Sequence, residues 1–201
     1  MKRLLFLFLL LPVICFSQNG WNMNLIGSLS YPNTKCNDIW GWEDGNGNEY
    51  ALVGLENGFS CVDVTNPSVP VEMFFISDNA SIWRDVKTWG NYAYITTDVT
   101  AHVGLLIVDL TDMTGSTFWH VTNFINPNTN DSVEFKIANN LYIDENGIAY
   151  IFGASSNTPG SNPSNGAIFL DINSNPTNPV YLGEWDDEYI HDGMVRGDTM
   201  Y

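Results

Sequence analysis

Four polar pairs open four similar stretches of this chain: Asn37-Asp38, Arg84-Asp85, Asn139-Asn140 and His191-Asp192. Their residue types suit two kinds of chemistry. Carboxylate and amide oxygens gathered in one place suit a hard cation such as calcium, or a small polar ligand. An acid, a base and an arginine held together suit a hydrolase or lyase, with Asp85, Arg84, His191 and Asp192 as the groups. A third use is structural, because buried polar groups need partners and such side chains bond the backbone of neighbouring elements. The candidate ligand-binding set is Asp38, Arg84, Asp85, Asn140, His191 and Asp192. No catalytic residue is assigned, the metal stays unknown, and no cofactor is evident beyond a calcium ion at this set.

Other stretches carry less. The run Asp186 to Asp192, "DDEYIHD", gathers four acids and a histidine, but in no recognised metal spacing, and reads as a solvated loop. "DGNGNE" from Asp44 looks like the start of a calcium loop, yet Leu55 stands where the twelfth-position Glu is required, so a hairpin turn is expected. Asp63, Asp109 and Asp171 each end a strand and are expected to cap the following turn through backbone N–H groups. His102 and His120 have no serine or cysteine context that suggests a nucleophile. The 7 tryptophans are expected in the cores between sheets, with Trp40, Trp83 and Trp185 able to stack on a sugar. There is no phosphate loop, dinucleotide glycine pattern or zinc cysteine pair.

The elements that must position the pairs form a repeat. Each unit has a first strand with its polar pair, then a second: "EYALVG" at Glu49, "NYAYITT" at Asn91, "IAYIFG" at Ile148. A third ends at Asp63, Asp109 or Asp171, spaced 46 and 62 residues apart, and a fourth begins at Val69, Thr117 or Pro179. Four strands in roughly 40–50 residues is the signature of a β-propeller blade. The longer spacing comes from polar insertions at Asn126 and Ser155, read as surface loops. In "LLIVDL" from Leu105 both odd and even positions are apolar, which fits a sheet sandwiched between two others. Asn146-Gly147 and the "EDGNGNEY" run at Glu43 mark tight hairpins.

The fold class is therefore all-β: a propeller of four-stranded blades, about three of them complete. Blades are placed at about 37–76, 83–124 and 139–185, with a fourth starting at 191. "NLIGSLS" from Asn24 reads as a lone fourth strand that closes the ring by completing a last blade. A closed ring needs roughly four to eight blades, so the chain is expected to be the front part of a longer protein. In such a ring the first strands line the channel, and the polar pairs gather at its mouth.

Residues 1–17 read as a secretory signal peptide: Lys2 and Arg3, an apolar run from Leu4 to Ile14, then a cut after Ser17. The run is too short to span a membrane, which takes ~20 residues. Residues 18–35 form an N-terminal segment and 36–201 the partial propeller. The formal net charge is −16, and loss of Lys2 and Arg3 deepens it. Such a surface repels phosphate backbones, so nucleic acid is excluded as a partner and cations or basic patches are favoured. Cys36 and Cys61 remain after the cut. They fall two strands apart, roughly 9.5 Å, too far for a disulfide, and are expected as two buried thiols.

"LLIVDL" at Leu105, "CVDV" at Cys61 and "IFLDI" at Ile168 resemble the LVIVD repeat. The order from "NDIWGW" through "WRDVKTW" and "LYIDENGIAYIFGA" to "HDGMV" resembles the choice-of-anchor B family of exported bacterial proteins. The resemblance covers the chain from about Cys36 onward. It implies a secreted propeller, with a sorting segment further along that fixes some members to the cell surface, and no settled activity. This chain has Asn139-Asn140 where the family's third unit opens with a His-Asn pair. The leading expectation is a secreted or cell-surface binding scaffold whose partner is an extracellular protein or surface ligand, carbohydrate included. The alternative is an extracellular hydrolase or lyase, in which Asp85→Ala abolishes activity without changing the melting curve.

Overall fold

The computed structural model describes residues 23–98, 104–154 and 166–201. The leader, His102 and the insertion from Ser155 lie outside the described residues. Three four-stranded antiparallel sheets follow one another along the chain. The first contains β1 (Cys36–Glu43), β2 (Glu49–Leu55), β3 (Gly58–Asp63) and β4 (Val71–Ser77). The second contains β5 (Arg84–Trp89), β6 (Tyr92–Thr97), β7 (Leu105–Asp109) and β8 (Phe118–Val121). Two short strands, β9 (Asn123–Ile125) and β10 (Ser132–Glu134), pair with each other. The third sheet contains β11 (Asn140–Ile143), β12 (Ile148–Phe152), β13 (Ala167–Asp171) and β14 (Val180–Trp185). A hairpin of β15 (Val195–Arg196) and β16 (Thr199–Met200) ends the order. This all-β arrangement is consistent with partial propeller blades.

Alternation along the strands explains the stacking. On β7, Leu106 and Val108 enter a core with Leu52, Phe59, Cys61 and Ile76 of the first sheet. Leu105 and Ile107 enter a second core with Leu141, Ile151, Ile168 and Leu170 of the third. One strand thus feeds two cores, which is why it has no polar face. On β6, Ala93 and Ile95 face the first core and Tyr94 the second. Fully burying each such aliphatic side chain contributes about 1.5–3 kcal/mol.

The turns follow their sequence signals. Asp144 Oδ1 accepts from the N–H groups of Asn146 and Ile148, and Gly147 takes φ of 75°. Asp44 Oδ1 does the same for Asn46 and Asn48. Asp63 accepts from Thr65 N–H, Asp109 from Thr111 N–H and Asp171 from Ser174 N–H.

Several expectations need correction. The polar insertion at Asn126 is a surface loop as expected, but it tips a β9–β10 hairpin that was not expected, whose Phe124 and Val133 are buried in the second core. Cys61 is buried, but Cys36 is exposed and free, at the edge of an open cleft between residues 27–31 and the first sheet. Burial pushes the Cys61 thiol up to about 12. No described tryptophan is fully buried; Trp42, Trp89 and Trp119 only flank the cores. Residues 23–30 carry no regular secondary structure, and Gly27 lies close against Pro67.

Candidate functional site

The first strands of the three sheets, β1, β5 and β11, lie side by side. Adjacent residues on a strand point to opposite faces, so the two members of each polar pair have different roles. The first member holds the linker that leads out of its own or the preceding sheet. Asn37 Nδ2 donates to Ser81 O at 3.2 Å, and Asn139 Nδ2 donates to the Tyr189 hydroxyl at 2.6 Å. Gly54 leaves the room that Asn37 needs: a methyl group there would meet Asn37 Oδ1 at 2.5 Å. Gly153 serves Asn139 in the same way.

Arg84 is the strongest of these clamps. Its Nε donates to Leu55 O at 2.8 Å, one terminal nitrogen pairs with Asp78 Oδ2 at 2.7 Å, and the other donates to Asn79 O. The two charged side chains are 0% and 5% exposed. The guanidinium is therefore sealed between sheets, on the face away from Asp85.

The second member stitches one sheet to the next. Asp38 Oδ2 accepts from Val86 N–H at 2.8 Å, and Asp85 Oδ2 accepts from Leu141 N–H at 2.7 Å. The first stitch continues down the strand. Trp40 Nε1 donates to Thr88 Oγ1 and Trp42 Nε1 to Gly90 O, each at 3.0 Å. Residues 38, 40 and 42 thus reach across to 86, 88 and 90 in step. Between the second and third sheets, Trp89 packs on Gly147.

Lys87 joins the two stitches. Its Nζ lies 2.6 Å from Asp85 Oδ1, 3.9 Å from Asp38 Oδ2 and 4.7 Å from the Trp40 ring centroid. Burial, with the Asp38 carboxyl beside it, pushes the Asp85 carboxyl up to about 6. The Lys87 ammonium and the Leu141 N–H pull the other way. Lys87 was not among the sequence candidates, although its place two residues past Asp85 put it on the same face.

Asn140 sits at the start of β11, half-buried. His191 and Asp192 are exposed and engaged within their own loop: Asp192 Oδ1 accepts from Gly193 N–H, and His191 meets the Tyr189 ring edge-on. The structure thus brings Asp38 and Asp85 together with Lys87. It turns Arg84 away and leaves His191 and Asp192 in a separate loop. Among the described residues no group of three or more His, Cys, Asp and Glu is placed to hold a metal ion.

The stitched stretch is also where the chain shows its likeness to known proteins. Residues 46–78 and 82–118 match the LVIVD repeat. No curated protein matches the chain. The first LVIVD segment spans β2 to β4, and the second runs from just before β5 into the start of β8. The Arg84–Asp78 clamp therefore joins the two LVIVD segments, and Asp85 with Lys87 belongs to the second. Among the described residues no helix is long and apolar enough to cross a membrane.

Proposed function

We propose that this chain is part of an exported β-propeller that works as a binding scaffold, secreted or held at the cell surface. The observation that carries the reading is what the inner-strand acids do. Asp38 and Asp85 each bond the backbone of the next sheet, so the polar pairs serve the architecture. Consecutive four-stranded sheets with adjoining first strands, and two LVIVD segments, support a propeller of the kind the choice-of-anchor B resemblance implies. In that ring, the segment from Asn24, which has no regular secondary structure here, becomes a strand by completing a last blade, and the leader is removed after Ser17. Partners, an extracellular protein or a surface carbohydrate, then meet the loops and the exposed rings of Trp83 and Trp40. The hydrolase or lyase reading asks Arg84 and Asp85 to serve a substrate while both are held by protein groups.

Two measurements test the proposal. Expressed with its own leader, the chain is expected outside the cytoplasm with Gln18 as its first residue by mass spectrometry; an intact leader on a cytoplasmic protein refutes export. A screen of glycoside, ester and polysaccharide-lyase substrates is expected to show no turnover. Turnover that Asp85→Asn abolishes at unchanged Tm refutes the scaffold reading.

A further inference from the structure

A cleft of about 280 Å³ lies beside the first sheet, lined in part by Leu29, Tyr31, Thr34, Leu55, Glu72 and Phe75. Leu29, Leu55 and Phe75 supply its apolar lining. Its polar lining includes a relay. Ser60 Oγ donates to Glu72 Oε2 at 2.7 Å, and the Tyr31 hydroxyl lies 2.8 Å from Ser60 Oγ. A serine hydroxyl has one proton, and here it is spent on Glu72, so Tyr31 donates to Ser60. Ser60 is fully buried and cannot meet a substrate itself. The relay instead holds Oε2 of Glu72, whose side chain lines the cleft. Glu72 is exposed, and the ion pairs among the described residues engage Glu56, Asp78, Asp38, Asp85 and Glu134, not Glu72. Thr34 adds a buried Oγ1 with no hydrogen-bond partner.

We propose that this cleft binds a small protonated primary amine carried on a short apolar or aromatic arm. The ammonium pairs with the Glu72 carboxylate, a charge-assisted contact stronger than a neutral one. Tyr31 and Phe75 bring aromatic rings to the cleft lining, which favour a cation over a neutral group, and the acidic surface draws it in. The arm covers Leu29 and Leu55. Size follows from volume: at ~30 Å³ per water in the liquid, about 280 Å³ seats a group of roughly nine heavy atoms.

The probe is 2-phenylethylamine, titrated into the full chain and followed by ligand-observed NMR, against phenylacetate and 2-phenylethanol. The amine alone is expected to bind, and its affinity to fall at least about fivefold from low to physiological salt. Glu72→Gln is expected to weaken it by about tenfold, the scale of one charge-assisted contact, while Glu56→Gln leaves it unchanged. The comparison of the three probes on the unaltered chain needs no variant to fold. Binding of 2-phenylethanol as tight as the amine's, or salt-independent amine binding, or unchanged affinity in a folded Glu72→Gln variant, overturns the proposal.

Discussion

Asp85 separates a structural acid from a ligand-binding one, because two substitutions at this position differ in a single bond. Asp85→Asn keeps an oxygen for the Leu141 N–H, which is now 2.7 Å from Asp85 Oδ2. Asp85→Ala removes it and leaves the N–H of Leu141, a fully buried residue, without that acceptor. An unsatisfied buried donor costs about 1–3 kcal/mol, so the alanine variant should lie about 2 kcal/mol below the asparagine variant. At about 2–4 °C per kcal/mol for a chain of this size, the gap in Tm is about 4–8 °C, read by circular dichroism. pH adds a second test. The Asp85 carboxyl is raised from the ordinary 3.8 to about 6 in the fold. A raised acid favours the fold when protonated, so its contribution is complete below 3.8 and is lost as pH climbs through 6. Two units correspond to roughly 3 kcal/mol, an upper bound because Asp38 and Lys87 share the site. Relative to wild type, Asp85→Asn should therefore gain stability between pH 4 and pH 7. Equal melting of the alanine and asparagine variants, or a wild-type-minus-asparagine difference flat in pH, refutes the stitch.

Three further outcomes follow from the same geometry. Arg84→Met strands the Asp78 carboxylate in the interior and should cost about 3–5 kcal/mol in urea titration, while the double variant Arg84→Met/Asp78→Leu recovers much of it; additive losses would contradict the clamp. Gly54→Ala drives a methyl to 2.5 Å from Asn37 Oδ1 and should cost about 1–3 kcal/mol, with the penalty shrinking in an Asn37→Ala background. Melting curves in calcium and in chelator should superimpose, since the oxygens of Asp38 and Asp85 already hold N–H and ammonium groups; a calcium-dependent rise in Tm would restore the cation reading.

The repeat was legible because its signals are local. Asp109 before "TDM" and Asn146-Gly147 between two strands specify turns without reference to distant residues, and the turns appear there. The doubly apolar "LLIVD" announced two neighbours, and β7 has two. The site was less legible. Reading Arg84-Asp85 as one functional pair ignored the strand's own alternation, which sends the two side chains to opposite faces. Lys87 escaped notice because its importance depends on Asp38, 49 residues earlier in the sequence, and only the packing of β1 beside β5 brings them together. The β9–β10 hairpin was hidden by its polar tip; Phe124, Val133 and Phe135 on either side carried the signal, as alternating apolar positions flanking it.

A strand apolar on both faces has a consequence for error. If β7 slipped by one residue, Leu and Ile would exchange places with Leu and Val, and both cores would still be filled with hydrocarbon. Burial alone cannot penalise that slip, although it does so wherever one face is wet. The reading frame must come from groups that fit in one position only. Asp109 is such a group: its carboxylate binds Thr111 N–H and the Thr111 hydroxyl, at 2.8 and 2.6 Å, and a slipped aspartate would be drawn into oil. Asp63 and Asp171 stand at the same place in their own units. These three aspartates act as punctuation, supplying the alignment that their hydrophobic strands cannot.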